Sequence, residues 1–163
     1  MKDQIIYETI TSLRQEGLRF SVDTIAERLH ISKKTIYKHF PNKEALALAL
    51  YQRYYADTLA QAHRLTAENS VLARSKLFYL YFDAKLMTSC EIFNKYKLRE
   101  TIYSYTAEQN DNLLAIILSS LDDSISEQDK ISLRIIKNGS FEKLCNEKIP
   151  PQGVIEWLVK ILC

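Results

Sequence analysis

Residues 21–50 read SVDTIAERLHISKKTIYKHFPNKEALALAL. The stretch divides into a helix, a tight turn, a second short helix and the capped start of a third. Ser21 suits an N-cap, since its hydroxyl can accept one of the orphan amides of a first helical turn. Behind it Val22, Ile25, Ala26 and Leu29 fall at i, i+3, i+4 and i+7, one face of a 3.6-residue period that must be buried. The turn Leu29-His30-Ile31-Ser32 has room for one left-handed residue, and His30 is the expected occupant because histidine is among the non-glycine types enriched there.

Ser32 then caps a helix in which Ile36 and Phe40 lie one turn apart and face the core. Lys34, Thr35 and Lys38 project the opposite way, with Lys33 at the exposed first turn. Pro41 cannot continue this helix, Asn42 can cap the next, and Lys43 and Glu44 open it before the run Ala45 to Leu50. Between Lys33 and Lys43 the chain carries four lysines, one histidine and no acid. Lys33, Lys34, Lys38 and Lys43 supply charge for phosphates, Tyr37 adds a hydroxyl beyond an apolar ring, and a helix starting at Asn42 presents backbone N–H groups to an anion. A solvated lysine face on a small bundle is the plain alternative for the lysines taken alone.

The segments Val22-Asp23-Thr24-Ile25-Ala26-Glu27, Ile31 to Phe40 (ISKKTIYKHF) and Pro41-Asn42-Lys43-Glu44-Ala45-Leu46 resemble the DNA-binding domain of TetR-type transcriptional regulators. The ordered Tyr, His-Phe and Lys-Glu positions make the likeness more specific than a generic helix-turn-helix pattern. The resemblance implies that Tyr37, His39 and Lys43 hold the DNA backbone and that Lys33, Lys34 and Lys38 lie nearest the base edges, with Thr35 on the same surface. The family usually has glycine where this chain has His30, and often glycine where it has Lys34. The link from Gly17 to Val22 is about one residue shorter than is usual in such proteins. A lysine at position 34 can reach guanine O6 and N7 or a phosphate.

The 163 residues suffice for one to two small domains, and 47% hydrophobic against 26% charged residues marks a globular chain with a core. Only three glycines and three prolines interrupt it, so long helices and an all-α fold are expected. The expected division is a three-helix DNA-binding domain over residues 1–46 and a helical ligand-binding and dimerisation domain over 47–163. The net charge of +2 is uneven: residues 1–65 carry ten Lys or Arg against seven Asp or Glu, and the remainder sums to −1. That modest, local basicity suits a DNA footprint better than a general affinity for polyanions.

Asp3 can cap a first helix bearing Ile6, Ile10 and Leu13, with Gly17 placed to stop it. Further helices are expected over residues 43–64, from Asn69 or Ser70 to about Met87, over 91–97, over 98–121 with a polar middle at 106–112 that could break it, from Ser126 through Gly139, and beyond Pro150 and Pro151. Val154, Ile155, Leu158 and Ile161 form an apolar stripe on the last of these, and Gly139 permits close helix approach. Those five residues are the expected homodimer interface, which would set two reading heads on a palindromic double-stranded operator.

Aromatic residues crowd the second part of the chain. Tyr79, Phe82, Phe93, Tyr96 and Tyr103 are the expected lining of a pocket for a small apolar or aromatic effector, as the resemblance implies; a packed core is the plain alternative. No phosphate-cradling glycine loop, nucleophile elbow or metal-ligand cluster occurs, and Cys90, Cys145 and Cys163 suggest neither a disulfide framework nor a zinc site. No enzyme, cofactor or metal is therefore expected. The N-terminus lacks the apolar core of a signal peptide, and no apolar run could span a bilayer, so a cytoplasmic protein without membrane association is expected. The function expected is that of a repressor released by its effector. The rival is a constitutive or architectural DNA-binding homodimer whose second domain takes a protein partner or no ligand.

Overall fold

The computed structural model describes residues 1–16, 21–88, 100–121, 125–136, 143, 147 and 149–162, and among these all regular structure is helical. The helices are α1 (Lys2–Glu16), α2 (Val22–Arg28), α3 (Lys33–His39), α4 (Lys43–Glu68), α5 (Val71–Met87), α6 (Glu100–Ser119), α7 (Glu127–Ile136) and α8 (Gln152–Leu162). The all-α architecture expected from the scarcity of glycine and proline is the one observed. Two compact units partition the chain, one of Met1–Asp57 with Cys90–Thr106 and the other of Thr58–Ser89 with Ala107–Cys163.

In the first unit α1 packs on α2 and α2 on α3. Asp3 lies in the first turn of α1 instead of capping it, where its charge still favours the positive helix end. Ile5, Ile6 and Leu13 are buried beside Val22, Ile25 and Ala26, whereas Ile10 is only half-buried. Arg28 Nη1 donates to Glu8 Oε1 at 3.2 Å and to Ser12 Oγ at 3.0 Å, so a polar clip joins α1 to α2 beside the apolar contact. Tyr51, Tyr54 and Tyr55 of α4 are buried, Tyr55 meeting Tyr54 and Tyr105 edge-on at 5.2 and 6.2 Å between ring centres. Burial pushes the Tyr51 phenol well above its ordinary range, because the phenolate would be stripped of water. On the surface, Arg53 stacks over Tyr7 and binds Asp57 Oδ2 at 3.1 Å, while the Tyr7 hydroxyl donates to the same carboxylate at 3.2 Å.

The second unit begins its α5 with a capped turn. Ser70 Oγ accepts the amide of Ala73 at 3.1 Å, and Asn69 before it takes the left-handed conformation with φ of 43°. Arg74 ties this turn down by donating to Asn69 Oδ1 at 3.0 Å and to the Ser120 carbonyl at the end of α6 at 3.2 Å. The polar middle of α6 does not break it. Thr106 satisfies its hydroxyl on the Tyr103 carbonyl, and Asn110 donates to Thr88 Oγ1 at 3.3 Å, so both can be buried within a continuous helix. Ser126 caps α7 by accepting the Asp129 amide at 3.1 Å, and the Asp129 carboxylate accepts the Ser126 amide in return at 3.2 Å, a reciprocal box.

α8 packs on α5 and buries Ile155, Leu158 and Val159 within the chain, with Val154 half-buried and Trp157 exposed. The helix expected at 91–97 and Gly139 lie outside the described residues, as does the side chain of Ile161. No helix among the described residues is long and apolar enough to cross a membrane.

Candidate nucleic-acid interface

The interface is built by three local devices in succession. Ser21 Oγ accepts the Thr24 amide at 3.1 Å and starts α2. At the other end of α2 the His30 amide donates to the Glu27 carbonyl at 3.0 Å and the Ile31 amide to the Ala26 carbonyl at 2.9 Å. These are the two crossed bonds of a Schellman stop, which requires a left-handed residue between them. His30 is that residue, with φ of 53°, as expected from the turn sequence. Ser32 Oγ then accepts the Thr35 amide at 3.2 Å and starts α3 at once, leaving the two helices joined by a short, hydrogen-bonded corner.

The orientation of α3 follows from its two apolar side chains. Ile36 within this seven-residue helix and Phe40 at its C-cap are 1% and 3% exposed, so most of the other side chains of the helix are turned outward. Lys33, Lys34, Tyr37, Lys38 and His39 are all exposed, whereas Thr35 is half-buried and its hydroxyl shares a 3.0 Å hydrogen bond with Ser32 Oγ. Thr35 is thus drawn into the cap, a role its side-chain chemistry allowed but the helical spacing alone did not indicate. Lys34 and Lys38 are one turn apart, as are Lys33 and Tyr37, which sets three cations and a phenol ring along adjacent ridges.

α4 supplies the other wall. Asn42 Oδ1 accepts the Ala45 amide at 2.8 Å and its carbonyl accepts the Leu46 amide at 3.2 Å, so the positive end of a 26-residue helix opens next to α3. Lys43 sits in that first turn, and partial desolvation holds its ammonium below the ordinary lysine value of 10.5. Two features escaped sequence reasoning. Lys33 Nζ forms an ion pair with the Asp23 carboxylate of α2, a pairing between residues ten positions apart that only the helix-turn-helix corner brings together. Lys2 stands over the Phe40 ring with its ammonium 5.6 Å from the centroid, adding a cation beside the end of α3.

Of the five aromatic residues expected to line a pocket, Tyr79, Phe82 and Tyr103 fall among the described residues. Phe82 is buried in the second unit, Tyr79 and Tyr103 are exposed, and Phe93 and Tyr96 lie outside the described residues. Among the described residues no group of three His, Cys, Asp or Glu could hold a metal ion.

Residues 5–50 match the family described as bacterial regulatory proteins, tetR family. Two relatives come from Bacillus subtilis (strain 168). The uncharacterized HTH-type transcriptional regulator YvaF is 31% identical over 72 residues, 44% of this chain and 37% of its own. The uncharacterized HTH-type transcriptional regulator YuxN is 31% identical over 125 residues, 74% of this chain and 42% of its own. The chain thus spans less than half the length of the curated relatives it matches. The matched segment contains the whole capped corner from Ser21 to Asn42 and the start of α4, and residues 5–50 are thus similar to the tetR family of bacterial regulatory proteins over the helix-turn-helix itself.

Proposed function

We propose that the chain is a cytoplasmic transcriptional regulator, a repressor that occupies a palindromic double-stranded operator as a homodimer and leaves it when a small apolar or aromatic effector binds. The observation that supports DNA binding is the opposition of the two sides of α3, with Ile36 and Phe40 buried and Lys33, Lys34, Tyr37, Lys38 and His39 exposed. In this reading Lys34 and Lys38 approach base edges in the major groove, while Tyr37, His39 and Lys43 hold phosphates at its rim. An effector acts only through its different affinity for the DNA-bound and DNA-free shapes.

The exposure of Tyr79 and Tyr103 favours a second reading, in which DNA binding is constitutive and the second unit takes a protein partner or no ligand. Selection of bound fragments from genomic DNA tests the DNA reading and yields the operator. A triple variant with alanine at Lys34, Lys38 and Lys43 is expected to lose the selected site; equal binding by wild type and variant at low salt would defeat the proposal. A thermal-shift screen with small apolar and aromatic compounds separates the two readings of the second unit, a stabilising compound that also releases DNA marking the sensor.

A further inference from the structure

The exposed cations of α3 stand on a helix that has no strong acceptor to set beside them. From Lys33 to His39 the chain holds no Asp, Glu, Asn or Gln, so no carboxylate or amide oxygen is carried by a side chain of this helix. The hydroxyls at its start are committed to the cap: Ser32 Oγ accepts the Thr35 amide at 3.2 Å and shares a 3.0 Å hydrogen bond with Thr35 Oγ1. Lys33 is held at the corner by the Asp23 carboxylate. Lys34 and Lys38 are both exposed and lie one turn apart, so their side chains leave the helix along one ridge. Each ends in an ammonium group, which has three donors and no acceptor.

We propose that Lys34 and Lys38 each read a guanine, so that every operator half-site carries two guanine·cytosine pairs within three consecutive base pairs. In the major groove guanine alone presents two acceptors, O6 and N7, side by side. Adenine sets one acceptor beside an amino donor, cytosine offers a donor, and thymine offers one acceptor beside a methyl group. A group that can only donate is satisfied best at guanine and is opposed by the amino groups of adenine and cytosine. Asn and Gln, the bidentate partners of adenine, and Asp and Glu, the acceptors for cytosine, are the residue types that α3 lacks. The spacing follows from the helix. Four residues advance it by about 6 Å, and base pairs stack at about 3.4 Å, so the two ammonium groups reach neighbouring or next-neighbouring pairs.

This guanine readout rests on the DNA binding proposed above and names the bases. The experiment is competition binding of the full chain to the selected operator, each guanine of the half-site being replaced in turn. 7-Deazaguanine lacks only the N7 acceptor and is expected to weaken binding about tenfold at two positions within the three base pairs. Inosine keeps O6 and N7 and lacks only the minor-groove amino group, so it is expected to bind within about twofold of guanine. Lys34→Ala should erase the 7-deazaguanine penalty at one of the two positions and Lys38→Ala at the other, since a contact already lost cannot be lost again. Circular dichroism checks that both variants stay helical. A penalty that persists unchanged in both alanine variants places the lysines on phosphates and overturns the guanine readout. So does a selected half-site without two guanine·cytosine pairs within three, or a chain that binds every duplex alike; each of these leaves DNA binding standing. A chain that retains no duplex even at low salt overturns both.

Discussion

The carboxylate of Asp23 in α2 holds the ammonium of Lys33 at the start of α3, so one of the four lysines proposed to meet DNA is engaged within the free chain. Both groups are about half exposed, and such a surface pair contributes roughly 0–1 kcal/mol. Asp23→Asn should therefore leave the unfolding midpoint almost unchanged while freeing Lys33 for a phosphate. The slope of log affinity against log salt is expected to steepen by about 0.9, one added phosphate contact. An unaltered slope would mean that Lys33 stays away from the backbone even when released.

Lys38 and Lys43 should differ in kind. Lys38→Ala, on the exposed side of α3, is expected to weaken the operator by about 1–3 kcal/mol and to relax the preference at one base position. Lys43→Ala, in the first turn of α4, should weaken all sequences alike and reduce the salt slope by about one. Competition between the operator and a scrambled duplex separates the two effects.

Lys43 also predicts a pH dependence. Its ammonium is held below the ordinary 10.5 by desolvation, so the fold favours its neutral form, and it loses its proton at a lower pH than an ordinary lysine would. A bound phosphate favours the charged form, so binding takes up a proton as the pH rises into the range where free Lys43 deprotonates. Affinity should fall with rising pH there, and Lys43→Gln should remove that part of the decline. Titration calorimetry in two buffers of different ionisation enthalpy measures the proton directly.

His30 occupies a left-handed conformation, φ 53°, that glycine adopts without steric cost. His30→Gly is expected to raise stability by about 0.5–1 kcal/mol, the relief of strain exceeding the extra entropy of the unfolded glycine. His30→Val, β-branched, should lose more than about 1 kcal/mol. Urea midpoints of the three proteins check the order.

Ser32 Oγ satisfies the Thr35 amide, and without it the first turn of α3 loses its cap. Ser32→Ala should cost about 1 kcal/mol of stability. It should also weaken the operator more than a scrambled duplex, because a frayed first turn misplaces Lys34 while Lys43, proposed to hold a phosphate, is untouched. Binding measured on both duplexes tests this, an equal loss on the two counting against it.

What could be read from the sequence by itself were the features whose partners lie within a few residues. The caps at Ser21, Ser32, Asn42, Ser70 and Ser126, the left-handed turn at His30 and the inward pair Ile36 and Phe40 all follow from hydrogen bonds or helical periods spanning three to five positions. The tertiary structure decided everything that depends on which helix lies alongside. Thr106 and Asn110 look like a polar break in one dimension, yet they are buried in an unbroken helix because Tyr103 and Thr88 supply their partners. Ile155 and Leu158 share a period with many exposed-face stripes, and only the packing of α8 on α5 consigns them to their own core. Leu72, Tyr79 and Leu86 are left uncovered for the converse reason: α5 is apolar most of the way round, and the arrangement of its neighbours chose which side to bury.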